Sequence, residues 1–303
     1  MNTYTANGKL LLTGEYLVLK GALALAMPVR LGQSMIVEMS HASSLQWNAY
    51  TPEKPWFSAS LKADTLEILT TDDPAKAETI AKILKAVRAL NPATFSQGLR
   101  FETHLDFNPE WGLGSSSTLI ANLAQWAGVD PYRLLSMTLG GSGYDLACAT
   151  AKNPIFYQLV DGLPQVSEAP FHPSFADKLY FIYQGKKQSS AKEVSRFNER
   201  TTPMDLPQEI ADISTISRAL PDCQDLPSFC ALIDRHEAIM ARCLGRDPLK
   251  SQYLDFEGSV KSLGAWGGDF FLAATEWEEN DLKAYFKEKG LEVVFKYTDL
   301  RYD

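Results

Sequence analysis

Residues 109 to 118 read Pro109, Glu110, Trp111, Gly112, Leu113, Gly114, Ser115, Ser116, Ser117 and Thr118, and run straight into the amphipathic stretch of Leu119, Ile120, Leu123 and Trp126. Glycine lets a main chain approach an anion with no Cβ in the way. The serines add hydroxyls beside the free N–H groups of a helix start, and the positive end of the helix dipole points at whatever charge sits there. The chemistry this junction suits is the holding of a polyphosphate. Taken alone, the same string also reads as a flexible turn whose last serine caps a helix, so its weight depends on what accompanies it.

Neither of the two common nucleotide patterns, G-x-x-x-x-G-K-[ST] and G-x-G-x-x-G, occurs in the chain, which argues against both of the folds that carry them. What does occur is three glycine-bearing segments in a definite order. The first, 7–16, contains Gly8, Lys9, Gly14, Glu15 and Tyr16; the second is the loop at 109–118; the third, 261–269, contains Lys261, Gly264, Trp266, Gly267, Gly268 and Asp269. This order resembles the three signature motifs of the GHMP small-molecule kinases, named for galactokinase, homoserine kinase, mevalonate kinase and phosphomevalonate kinase, and the resemblance spans nearly the whole chain. The opening at 8–26 is similar to mevalonate-pathway members. The segment Gly141, Ser142, Gly143, Tyr144, Asp145 resembles the Asp-bearing motif of phosphomevalonate kinases, and Gly267, Gly268, Asp269 points the same way.

The resemblance implies ATP and Mg²⁺ as cofactors and gives the residues roles. Asp145 would be the carboxylate at the reacting oxygen, accepting or directing the hydroxyl proton; without the family context it reads as a helix cap or turn aspartate. Lys9 would keep that carboxylate ionised and help neutralise the transferring group, whereas an isolated lysine is by default a solvated surface charge. Gly112, Leu113, Gly114, Ser115, Ser116 and Ser117 are expected around the β- and γ-phosphates, with the Ser116 hydroxyl on the magnesium ion, which needs few protein oxygens. Glu15 is expected to help at the nucleotide indirectly, with plain turn chemistry after Gly14 as the alternative. Gly143, Tyr144, Lys186, Ser189, Gly267 and Gly268 are expected near the acceptor substrate.

Two departures from the family pattern stand out. Leu134, Leu135, Ser136 and Met137 occupy the region, about three helical turns before Asp145, where mevalonate kinases carry a metal-binding glutamate. That disfavours mevalonate kinase proper and leaves the second metal ligand unassigned. Trp266 stands where the family has glycine; an indole there could narrow the cleft, stack on a ligand or simply pack.

The elements that must position these residues follow from periodicity and breakers. Strands are expected over 4–12, 22–27, 34–39, 45–50, 56–60 and 99–107, with a turn at Thr13, Gly14 and Glu15. A helix opens at Asp73-Pro74, repeats apolar residues at Ile80, Ile83, Leu84, Val87 and Leu90, and stops at Asn91-Pro92. Another runs to Ala127 and stops at Gly128, and a third starts at Asp130-Pro131. A hairpin is expected over 155–166, turning at Asp161-Gly162. The proline-bearing stretch 169–173 is the candidate linker. Beyond it, strands at 179–183, 270–274 and 291–297 alternate with helices at 190–199, 207–219, 226–244, 247–256 and 281–289. This is an α+β pattern. The resemblance implies a two-domain GHMP kinase fold: an N-terminal domain, 1–170, of the ribosomal-S5-domain-2-like type, and a ferredoxin-like C-terminal domain, 171–303.

Composition narrows the partners. At 303 residues, 45% hydrophobic and 22% charged, the chain is an ordinary globular protein of two-domain size. A net charge of −8 with no Lys/Arg run longer than two argues against nucleic acid or an anionic membrane as the main partner. Cys148, Cys223, Cys230 and Cys243 form no C-x-x-C pair, and the histidines at 41, 104, 172 and 236 fit no zinc spacing, so free thiols and no transition metal are expected. No signal-like or membrane-spanning segment is present, and a cytoplasmic monomer or homodimer is the expectation. The expected activity is phosphoryl transfer from ATP to phosphomevalonate, with mevalonate second. The alternatives are a GHMP-fold sensor that binds without turnover and a GHMP kinase for homoserine or a sugar.

Overall fold

The computed structural model describes residues 2–95, 97–201 and 206–302. The chain forms two compact units: one from Met1–Gly8, Leu31–Pro109 and Leu113–Thr150, the other from Lys9–Arg30, Glu110–Gly112 and Ala151–Asp303.

The first unit is built on β1 (Asn2–Leu11), β2 (Ala24–Ser40), β3 (Ser44–Tyr50), β4 (Pro55–Lys62), β5 (Ile68–Thr71), α1 (Pro74–Leu90), β6 (Gly98–Leu105), α2 (Ser115–Ala127), α3 (Pro131–Thr138) and α4 (Tyr144–Thr150). Its strands lie in the order β5-β4-β3-β6-β2. The β3–β6 pair is parallel and the others antiparallel. In β3, Leu45, Trp47 and Ala49 are buried while their neighbours point outward, so one sheet face carries the core. Trp47 stacks on Phe101 at 5.0 Å, and Trp126 of α2 meets Phe101 edge-on at 5.0 Å. From α1, Ile80, Ile83, Leu84 and Val87 close the same core. The helix starts follow their predicted chemistry: Asp73 accepts from Lys76 N and Asp130 from Arg133 N, each with proline in the first turn.

The segments expected separately at 22–27 and 34–39 form one 17-residue strand, β2. Its second half pairs with β6 from Gln33 to Ser40. Just before that pairing the Gly32 carbonyl accepts from Asp106 N at 2.9 Å and the Gly32 N–H donates to Asp106 Oδ2 at 3.0 Å, so the strand continues through the glycine. The edge strand β5 was not expected; most of it is exposed, and an edge strand carries little alternation.

The second unit takes in the start of β2, paired with β7 (Ile155–Val160), which turns into β8 (Leu163–Glu168). It continues with β9 (Leu179–Tyr183), α5 (Ser190–Thr201), α6 (Pro207–Ala219), α7 (Leu226–Leu244), β10 (Ser259–Ser262), β11 (Phe270–Ala274), α8 (Glu279–Glu288), β12 (Val294–Lys296) and α9 (Tyr297–Leu300). Four strands make an antiparallel sheet in the order β10-β11-β9-β12. Tyr180, Ile182, Phe271 and Phe286 lie in its core. In the stretch 169–173, Ala169 and Phe171 are buried, and the Tyr297 hydroxyl donates to the Phe171 carbonyl at 3.0 Å.

Two expectations here are corrected. The helix at 247–256 is only a 3-10 turn, Leu249–Gln252, because Tyr253 and Phe256 turn into the core and the buried Glu237 takes the Leu249 N–H at 3.1 Å. The last strand shortens to β12, and Tyr297 starts a helical turn instead. No helix among the described residues is long and apolar enough to cross a membrane.

Candidate functional site

In the second unit β1 ends at Leu11 and the chain turns at Thr13 to Tyr16, within the first glycine-bearing segment. Gly14 has φ +88°, and a Cβ there would lie 2.8 Å from that of Ala24, so both backbone and space demand glycine. Its N–H donates to His236 Nε2 at 3.0 Å. Nε2 is thus an acceptor and the imidazole is neutral; burial, with Lys261 second, holds its pKa well below the usual histidine range. The 3.3 Å approach of His236 Nε2 to Glu15 Oε2 is therefore not an ion pair.

Glu15 is buried and meets Lys261 Nζ of β10 at 2.5 Å. Burial pushes the Glu15 carboxyl up to about 7, with Lys261 pulling the other way. Lys261 also donates to the Ser262 carbonyl at 2.8 Å. Glu237 of α7 accepts from Leu249 N, Ser262 N and Ser262 Oγ, and burial raises its pKa too. Tyr16, at φ +60°, accepts the Trp266 N–H on its hydroxyl at 3.0 Å. The turn is thus fastened to α7, β10 and the third glycine-bearing segment. Glu15 is only 2% exposed, and its carboxylate lies against Lys261 and His236. Trp266 is buried as well.

Lys9, on β1, donates from Nζ to the Gly112 carbonyl at 2.8 Å. Gly112 has φ +69°, and a Cβ on it would fall 2.5–2.8 Å from the carboxylate atoms of Asp269. Asp269 is buried and has a left-handed backbone at φ +53°. Its N–H donates to the Lys186 carbonyl at 2.9 Å, its carbonyl accepts from Gln184 N at 2.8 Å, and its Oδ1 accepts from Gln188 N at 3.2 Å. The Gln184 and Gln188 side chains donate to the carbonyls of Gly268 (2.7 Å) and Gly267 (3.1 Å). Lys186, Gly267 and Gly268, all expected near the substrate, are thereby brought together. Lys187 stands 4.0 Å from Glu110. Ser189 precedes α5, accepting from Glu193 N on its carbonyl and Lys192 N on its hydroxyl.

In the first unit Leu113 is buried and Gly114, at φ +100°, is the N-cap of α2 without any side-chain cap. A helix start of this kind leaves N–H groups unpaired and a positive dipole end. Ser117 Oγ is used on the Gly114 carbonyl at 2.9 Å, and Thr118 Oγ1 bonds Gln33 at 3.0 Å. The hydroxyls of Ser115 and Ser116 have no partner among the described residues, and Ser116 is exposed. Asp145 lies in the first turn of α4, half-buried, with Oδ1 accepting from Leu146 N at 3.1 Å. Gly143, at φ +86°, and Tyr144 lead into that helix, which packs on α2. Lys9 belongs to the second unit and Asp145 to the first.

Sequence reasoning gave Asp269 little weight and passed over His236, Glu237 and Lys261 as a group. Their only sequence signal was a lysine and an aspartate flanking the third glycine-bearing segment. No three His, Cys, Asp or Glu residues among the described ones gather as a metal cage.

No family model and no curated protein matches the chain. Solved structures do match its fold. The mevalonate kinase of Methanococcus jannaschii superposes with a TM-score of 0.73 at 14% identity, covering 97% of this chain and 96% of that one. The phosphomevalonate kinase of Streptococcus pneumoniae, in complex with phosphomevalonate and AMPPNP, gives 0.69 at 18%, covering 98% and 100%. The galactokinase of Lactococcus lactis, complexed with galactose, gives 0.64 at 11%, covering 94% and 87%. The chain has the GHMP kinase fold.

Proposed function

We propose that the protein is an ATP- and Mg²⁺-dependent small-molecule kinase whose acceptor is phosphomevalonate, with mevalonate the next candidate. The observation that carries this reading is the start of α2: a left-handed Gly114, no side-chain cap, and two serine hydroxyls without a partner among the described residues. Such a start suits a triphosphate, because its N–H groups and dipole favour negative charge. Ser115 and Ser116 offer the hard oxygens that Mg²⁺ prefers, and Ser116 would be the residue to hold it. When bound, the metal would neutralise charge on the β- and γ-phosphates.

The acceptor oxygen would attack the γ-phosphorus as the bond to the bridging oxygen of ADP breaks. With an alcohol acceptor, Asp145 would take the proton released; with a phosphate acceptor, already mostly ionised at neutral pH, no such proton needs removing. Lys9 would set its ammonium against charge developing on the transferred group. Gly112, Leu113 and Gly114 would shape the phosphate loop, with Ser117 contributing its N–H. Gly143, Tyr144, Lys186, Ser189, Gly267 and Gly268 would lie toward the acceptor, and Glu15 would act only by holding its turn.

The test is an ADP-release assay with mevalonate, phosphomevalonate, homoserine and several sugars. Turnover of phosphomevalonate supports the proposal in full. Turnover of a sugar alone keeps the kinase and discards the acceptor, and nucleotide binding with no turnover of any acceptor favours a sensor.

A further inference from the structure

Asp269 has a buried carboxylate, 8% exposed, on a backbone with φ +53°, a region that few non-glycine residues adopt. A buried ionisable group needs compensating partners. Four connections converge on it. Its main chain bonds Lys186 and Gln184, its Oδ1 accepts the Gln188 N–H, and its carboxylate fills the space where Gly112 lacks a Cβ. The carbonyl of that same Gly112 accepts from Lys9 Nζ at 2.8 Å. Burial is the largest influence on its carboxyl and raises its pKa, while the charges of Lys9 and Lys187 favour its ionised form and that of Glu110 opposes it.

An ammonium beside a phosphate loop is drawn onto the phosphate oxygens unless something opposes the pull. We infer that Asp269 is a positioning residue for Lys9: its carboxylate, wedged against the Gly112 turn, fixes the ammonium in place while tying the 184–188 and 264–268 segments to that turn. The inference rests on the kinase reading for its consequence, but the placement itself is testable apart from turnover.

Asp269→Asn is the informative variant. Asparagine tolerates the left-handed backbone and keeps an oxygen for the Gln188 N–H, so only the charge is lost. Lysines carrying ¹³C-methyl groups report the Lys9 titration by NMR, with Lys9→Arg assigning the signal. In Asp269→Asn the Lys9 signal is expected to titrate at lower pH, by about one unit, because a neighbouring negative charge no longer favours the ammonium. The rate constant kcat should fall by about 10-fold or more, while KM for ATP stays within about twofold. An unshifted Lys9 titration overturns the inference, as does an unchanged kcat in an enzyme that turns over. Should Asp269→Asn fail to fold, Asp269→Gly suits the same backbone and must give the same titration shift. If the wild-type protein releases no ADP with any acceptor, the proposed function falls, and the Lys9 titration still decides the role of Asp269.

Discussion

Gly112 shows how one residue's absent side chain organises a site. Its φ of +69° and the Asp269 carboxylate 2.5–2.8 Å from where a Cβ would stand oppose any substitution by separate means. Gly112→Ala is expected to destabilise the fold by about 1–3 kcal/mol, read from urea unfolding. In an Asp269→Gly background the steric part vanishes and only the backbone part remains, so the same substitution should cost less. Equal costs in the two backgrounds would show that the carboxylate is not the obstacle. Asp145 is decided by chemistry instead. Asp145→Asn keeps the shape but cannot take a proton. With mevalonate, kcat should fall by about 10²-fold or more; with phosphomevalonate the loss should be mild. A large loss with the phosphate acceptor would contradict the proton-acceptor role.

Among the elements, α2 carries the proposed nucleotide chemistry on its first turn. Ser116 is exposed and its hydroxyl has no partner among the described residues, so Ser116→Ala should leave Tm nearly unchanged. It should raise the Mg²⁺ concentration needed for half-maximal rate, and an unaltered Mg²⁺ dependence would remove Ser116 from the metal. Helix starts such as α1 and α3 were legible because Asp73-Pro74 and Asp130-Pro131 encode cap and first turn in adjacent residues. Strand β10 was not, because Ser259, Lys261 and Ser262 are polar yet fully buried, against the alternation that betrays a strand. The helix expected at 247–256 comes down to a 3-10 turn, since tertiary contacts of Leu249, Tyr253 and Phe256 outweigh local propensity. The glycine-bearing loops were visible as strings. The contacts among Glu15, His236 and Lys261 were not, because Glu15 and Lys261 are 246 residues apart and no local pattern links them.

At the scale of the whole molecule that buried cluster couples folding to pH, and its members pull in opposite directions. Burial raises the Glu15 carboxyl from 4.5 to about 7 in the folded protein, so the fold holds a proton that the unfolded chain has released. The stabilisation this gives is complete below about pH 4.5 and is lost as pH rises through about 7; Glu237, also raised by burial, adds to the same limb. His236 is the reverse case. Its folded pKa lies well below 6.5, so its contribution is present above pH 6.5 and is lost as pH falls and the unfolded chain takes up the proton. Stability measured by Tm from pH 5 to 8.5 should therefore carry an acid limb from His236 and an alkaline limb from the two carboxyls. Glu15→Gln cannot titrate and should flatten the alkaline limb, whatever it does to the height of the curve. His236→Gln should flatten the acid one. Groups outside this cluster titrate alike in wild type and variant, so the difference profile reports on the cluster alone, and a Glu15→Gln profile parallel to wild type between pH 5 and 8 would mean that Glu15 stays ionised beside Lys261 throughout.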